Sequence, residues 1–263
     1  MKNLVLVKLG GSVITDKSKK FAVREKAIKR LGREVRDALK SFDGRLIIGH
    51  GAGSFAHIPA HKYKTKEGVT GSDSVYGLCV TEDAAKKLNT IVIEDFLSLR
   101  LPVFSFSPAS FLISDRLRCG KSYIDPIKKA LHIGVIPVVY GDVVLDKVTG
   151  CTIFSTEKIL SILAQELQKE YKIKIIYATD VDGVYDDKGK VIPKISGKDF
   201  KFLKSAIAAV KGTDVTGGML HKVEESLLLA KKTGIKTLIV NGTKEGFLKH
   251  AILGKKVKGT LVT

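Results

Sequence analysis

Short apolar runs at Leu4–Leu9, Arg45–His50, Val103–Phe106, Val135–Tyr140, Lys174–Ala178 and Lys236–Asn241 constrain the fold of this chain more than any other feature. They are rich in Val and Ile and nearly continuous rather than alternating, as expected of strands covered on both faces. Helical patterns separate them. Apolar residues recur every three or four positions at Ala84, Leu88, Ile91, Val92, Phe96 and Leu99, and similar patterns lie over Ala27–Leu39, Thr156–Leu167 and Met219–Ala230. Strand and helix in alternation predict an α/β fold, a three-layer αβα sandwich around a mainly parallel central sheet. Val143–Asp146 and Cys151–Phe154, joined by Lys147-Val148-Thr149-Gly150, read as a hairpin inserted midway.

The bulk numbers narrow the class. At 263 residues and 44% apolar content the chain can bury a full core, and we expect a single domain over residues 1–263. No apolar run approaches the roughly 18 residues that a membrane span needs. Lys8 interrupts the first apolar stretch and no small-residue cleavage site follows, so a cytoplasmic protein with no membrane partner is expected. Cys79, Cys119 and Cys151 form no CxxC pair, which suits a reducing compartment and gives no metal-ligand spacing. The net charge of +18 fits a nucleic-acid binder, a surface for acidic lipid, or a site for a polyanionic metabolite. The lysines run along the whole chain, densest at 244–258, with no nucleic-acid signature and no tryptophan beside them. A solvated surface that steers phosphate-bearing substrates is therefore expected, with no nucleic-acid partner.

Chemistry concentrates where strands end in glycine. Leu4-Val5-Leu6-Val7 runs into Lys8-Leu9-Gly10-Gly11-Ser12, which is neither GxxxxGK[ST] nor GxGxxG. A Gly-Gly pair alone is usually a turn. The lysine on a buried strand changes the reading, because an unpaired buried ammonium is costly and must reach a polar partner. Thr15-Asp16-Lys17 follows in a polar loop, so Lys17 becomes a second phosphate contact. His50-Gly51-Ala52-Gly53-Ser54-Phe55-Ala56-His57 ends a strand and opens a helix whose amides could hold an anion. His57 falls in that helix's first turn, with His61 exposed one turn on. Tyr140-Gly141-Asp142 closes another strand; its acid could orient lysines or a metal, or simply form a turn. Thr179-Asp180-Val181-Asp182-Gly183-Val184-Tyr185 resembles part of a calcium loop, but the ligand spacing fails. Asp214-Val215-Thr216-Gly217-Gly218-Met219 leads into a helix whose Lys222 can point back at an anion, with capping by Asp214 or Thr216 as the structural alternative.

Together these motifs resemble the amino acid kinase superfamily and, within it, the isopentenyl phosphate kinases. The match runs in order along the chain: KLGGSVITDK at 8–17, HGAGSFAH at 50–57, PVVYGDVV at 137–144, TDVDGVY at 179–185, and DVTGGM with Lys222. The resemblance implies an open αβα sandwich, usually a homodimer, in which ATP with Mg2+ phosphorylates isopentenyl phosphate in an alternative mevalonate pathway. It implies an N-terminal part that mainly binds acceptor and a C-terminal part that mainly binds nucleotide. By the same resemblance Lys8, Gly10, Gly11 and Ser12 meet the ATP phosphates and Lys17 stabilises the transferring group. Ala52, Gly53 and His57 hold the acceptor phosphate with Gly141 beside them. Asp180, Gly183, Tyr185, Gly218 and Lys222 bind nucleotide, with Gly53 touching ATP as well as acceptor, the metal being carried by the ATP phosphates rather than by a protein cage. Two departures stand out. Ser155-Thr156-Glu157 replaces the usual Ser-Gly-Asp, and Ala56 replaces the glycine before the histidine. The resemblance leaves open a fosfomycin-like phosphonate or a carboxylate or carbamate acceptor, and a nucleotide-binding regulator without catalysis. The acceptor tail is expected against the helix at 74–99.

Overall fold

In a computed structural model the chain is described over residues 1–16, 18–200, 203 and 218–263. Among the described residues the central sheet holds eight strands: β1 (Lys2–Leu9), β2 (Gly44–His50), β3 (Val103–Ser105), β6 (Ile136–Tyr140), β9 (Tyr171–Thr179), β10 (Lys194–Ile195), β11 (Thr237–Asn241) and β12 (Gly259–Val262). Their order is β10-β12-β11-β9-β1-β2-β6-β3, and every pair is parallel except β11 with β12. That antiparallel strand, between β10 and β11, was not foreseen, because residues 259–262 carry only two apolar side chains.

A continuous apolar run serves two cores at once. Leu4 and Leu6 of β1 join one buried cluster, while Val5, Val7 and Leu9 join another on the opposite face. The first face is covered by α7 (Thr156–Leu167) and α8 (Gly218–Thr233). The second is covered by α2 (Glu25–Leu39), α4 (Ser72–Ser98) and α9 (Phe247–Ile252). In α2, Ile28, Leu31, Val35 and Ala38 are wholly buried on one stripe, the spacing an amphipathic helix requires. Each fully buried leucine or isoleucine contributes about 1.5–3 kcal/mol relative to exposure, so these two cores carry the fold.

The inserted hairpin, β7 (Asp142–Asp146) with β8 (Gly150–Phe154), belongs to a second sheet. Together with β4 (Leu112–Asp115) and β5 (Arg118–Ser122) it is ordered β5-β4-β7-β8. The β4–β5 hairpin escaped the sequence reading because its strands are short and half polar; β5 is Arg118-Cys119-Gly120-Lys121-Ser122. Two short helices, α5 (Pro108–Phe111) and α6 (Asp125–His132), connect the sheets.

Register places the site. Leu9 lies beside both His50 and Ala178, His50 beside Tyr140, and Thr179 beside Asn241. The carboxyl ends of β1, β2, β6, β9 and β11 thus finish level along one edge, where ligands bind in open α/β sheets.

Candidate active site

A cavity of about 990 Å3 opens along that edge. Its walls include Lys8, Gly10, Gly11 and Ser12 from the end of β1, and Ala52, Gly53 and His57 after β2. Gly141, Asp180, and Gly218 with Lys222 complete it from three further segments. Most of the residues singled out in the sequence therefore share one cavity. Asp214, Val215, Thr216, Gly217 and Lys17 lie outside the described residues.

The backbone of two glycine turns forms the floor. After β1 the chain enters a single helical turn, α1 (Gly11–Ile14); after β2 it enters α3 (Gly53–Lys62). The turns touch: a Cβ on Gly11 would sit 2.8 Å from the Gly53 Cα. Thr15 locks the contact by donating its hydroxyl to the Gly11 carbonyl at 2.7 Å and accepting from Ser54 N–H at 3.1 Å. Thr15 was expected in a polar loop; it is fully buried because both its partners are backbone groups inside the fold. His57 is the fifth residue of α3, one turn later than expected, and is exposed at the cavity.

Charge is organised around a buried acid. Glu157, second residue of α7 and 3% exposed, pairs with Lys8 and lies 3.9 Å from the Lys222 ammonium. Burial alone pushes this carboxyl up, but Lys8 and Lys222 overcome that and hold it well below the usual carboxylate range. Glu157 thus satisfies the buried strand lysine, and Lys222 also donates to the Gly218 carbonyl at 2.9 Å. Two ammonium groups around one carboxylate leave an excess of positive charge facing the cavity, as an incoming polyanion requires.

A second buried acid, Asp142, accepts from Val143 N–H at 2.8 Å and from the Ser107 hydroxyl at 3.2 Å. Burial pushes its carboxyl up to about 7, against the Val143 hydrogen bond and with help from Glu82. Nearby, buried His50 stacks on Tyr140 and meets Asn89 at 3.2 Å; burial lowers its pKa.

The nucleotide-side loop departs from expectation. Asp180 is exposed at the cavity, but Gly183 and Tyr185 are not among its lining residues. The chain turns away after Val181 because Val184 N–H donates to the Thr260 hydroxyl of β12 at 2.8 Å. Gly183 (φ +151°) packs there, and the Tyr185 hydroxyl accepts from Asp182 N–H at 3.3 Å. Asp182 itself is fastened to Asn241, Lys244 and Lys258. The hydrogen bond from Lys244, then that from Asn241, keeps Asp182 well below the usual carboxylate range.

Sequence reasoning missed other wall residues. Leu117 arrives from the unforeseen β4–β5 turn, and Lys158 reaches its carbonyl while lying 3.8 Å from the Phe154 ring centroid. His221, 3.2 Å from the Ser155 hydroxyl, is adjacent to Lys222 and could have been found by extending that motif by one residue. Among the described residues, no group of three or more His, Cys, Asp or Glu side chains is placed to hold a metal ion.

The amino acid kinase family model matches residues 3–241. An isopentenyl phosphate kinase of Methanothermobacter thermautotrophicus is 34% identical over 270 residues, covering 99% of this chain and 99% of the relative. One from Methanocaldococcus jannaschii is 32% identical over 265 residues, 98% of this chain and 97% of the relative. A solved isopentenyl phosphate kinase structure superposes with a TM-score of 0.85 at 31% identity, over 99% of this chain and all of the other. Level strand ends, paired glycine turns and a lysine-holding carboxylate are thus arranged on a scaffold shared along its whole length, and the chain belongs to the amino acid kinase family, grouping there with the isopentenyl phosphate kinases.

Proposed function

We propose that this protein transfers the γ-phosphoryl group of ATP to isopentenyl phosphate, giving the diphosphate. The observation that carries this reading is the junction of two glycine turns, Gly10–Ser12 and Gly51–Gly53, in one cavity with Lys8 and Lys222. Two anion-binding backbones in contact suit two phosphates that must meet. A monophosphate acceptor is already an anionic nucleophile at neutral pH, so no general base is needed; positioning and charge neutralisation supply the catalysis.

In this reading Lys8 and the amides of Gly10, Gly11 and Ser12 take the nucleotide phosphates. Lys222, Gly218 and Asp180 complete that side, and Lys17 is assigned to the group in flight. Ala52, Gly53, Gly141 and His57 take the acceptor phosphate. Mg2+ supplies charge neutralisation on the nucleotide phosphates. The donor set fits a metal carried by nucleotide: Glu157 is occupied by lysines, while Asp180 offers an exposed carboxylate of the hard-oxygen type Mg2+ accepts. The N-terminal part would then mainly serve acceptor and the C-terminal part mainly nucleotide, within one domain, the Lys8–Ser12 turn being the N-terminal element that reaches the nucleotide.

The same proposal includes a cytoplasmic homodimer. In its support, β3 ends the central sheet with Phe104 58% exposed, and among the described residues no helix is long and apolar enough to cross a membrane.

A coupled ADP-release assay over isopentenyl phosphate, dimethylallyl phosphate, fosfomycin and carbamate tests the function. The highest kcat/KM is expected for isopentenyl phosphate; turnover of only carbamate or fosfomycin would replace the reading. His57→Ala should raise the acceptor KM by about tenfold or more, the scale of one charge-assisted hydrogen bond, with the ATP KM held. An unchanged acceptor KM and kcat would remove His57 from the site.

A further inference from the structure

Thr156 opens α7 and is 2% exposed, yet its hydroxyl serves no residue of its own helix. It donates across 106 positions of sequence to the His50 carbonyl, at 2.7 Å. That carbonyl belongs to the peptide unit leading into Gly51, at the root of the acceptor-side turn. It also accepts from Gly141 N–H at 3.2 Å, so three segments of the cavity wall meet on one oxygen.

The methyl group of Thr156 is seated as closely as the hydroxyl. A Cβ on Gly49 of β2 would lie 2.6 Å from the Thr156 Cγ2, and one on Gly141 would lie 3.2 Å from its Oγ1. Glycine at both positions leaves room for this one side chain between β2 and α7. The next residue along is Glu157, which pairs with Lys8. One side chain therefore ties the acceptor-side turn to the carboxylate that places the lysines.

Resting on the function proposed above, we infer that Thr156 is a positioning residue: its hydroxyl and methyl fix the Gly51–Gly53 turn relative to Glu157, and so align acceptor phosphate with the lysines. It performs no chemistry on the reacting atoms. Loss of the hydroxyl leaves a buried carbonyl short of one donor and lets the turn drift, and small misplacements of reacting groups are costly in rate.

The test compares Thr156→Val, which keeps the shape, with Thr156→Ser, which keeps the hydroxyl. Valine should lower kcat by about tenfold and raise the acceptor KM, with the ATP KM within about twofold, because only alignment of the acceptor is lost. Serine should recover most of kcat. If valine does not fold, Thr156→Ala against serine gives the same comparison. A kcat within about twofold of the parent for the variant lacking the hydroxyl, or serine as impaired as that variant, overturns the inference. Amide resonances of Gly51, Ala52 and Gly53 supply a readout that needs no turnover. They should move in valine and stay near the parent in serine; unmoved resonances in valine overturn the inference. A parent that turns over none of the four acceptors removes the functional reading instead, and the resonances still decide the role of Thr156.

Discussion

The loops after β1 and β9 each place glycine just beyond a buried strand, yet they behave differently in the fold. After β1, Gly11 lies against Gly53 so closely that neither turn can carry a side chain at the contact, and bare backbone faces the cavity. After β9, Gly183 is equally crowded, but by the Thr260 hydroxyl and Val191 on the far side from the cavity. One loop uses glycine to bring bare backbone to the cavity wall; the other uses it to fold the chain onto a neighbouring strand. Crowding around a glycine is thus a measure of packing, and only the direction of the crowding says whether function depends on it.

Substitutions can break this contrast. The largest effect is expected at Lys8, which serves the first loop and no part of the second. Lys8→Met should lower kcat/KM on the order of 10^2–10^3-fold, as loss of a preorganised charge does, and should destabilise the fold because Glu157 loses a buried partner. Steady-state kinetics and thermal unfolding check both; a fully active variant would detach the lysine from the chemistry.

Gly11→Ala comes next. Its methyl meets backbone that cannot yield, so the two turns must part, and kcat should fall on the order of 10^2-fold with a modest loss of stability. Gly183→Ala should show the reverse pattern. At φ +151°, with the Thr260 hydroxyl 2.7 Å from the added carbon, it should cost about 1–3 kcal/mol by denaturant unfolding. Its kcat should barely change. Equal kinetic damage from the two alanines would erase the distinction between the loops.

The smallest effect is a slope with pH. The buried Asp142 carboxyl is raised to about 7, so the folded protein holds a proton that the unfolded chain releases near the ordinary carboxylate pKa of about 4. Between those values the native state binds more protons, so stability falls as pH rises and levels off above about 7. Asp142→Asn removes that slope. The stability difference, variant minus parent, should grow from pH 4 to pH 7 and then stay flat; a constant offset would show that folding leaves the Asp142 pKa unchanged.

Much of this was legible in the chain. The Val- and Ile-rich runs gave strands on both sides of which a core could form, and the helix over Thr156–Leu167 came out with the same bounds. Lys8 announced itself, because an ammonium on a buried strand must have a partner. That the partner is Glu157 emerged only in the fold, since nothing local joins positions 149 residues apart. The β4–β5 turn was invisible for a different reason: Arg116 and Leu117 adopt positive φ without glycine or asparagine to signal it. Their turn is held by Asp146, whose carboxylate accepts from Leu117, Val148 and Thr149 N–H groups.

Sequence alone determined which residue types could gather at the strand ends, because apolar periodicity and strand-terminal glycine are local properties. Tertiary structure alone decided which of them share a wall. Hydrogen bonds such as Thr156 to His50 and Val184 to Thr260 join distant segments, and their energies depend on where whole strands and helices come to rest. That is why Asp180 faces the cavity while Gly183, three residues later, faces away from it.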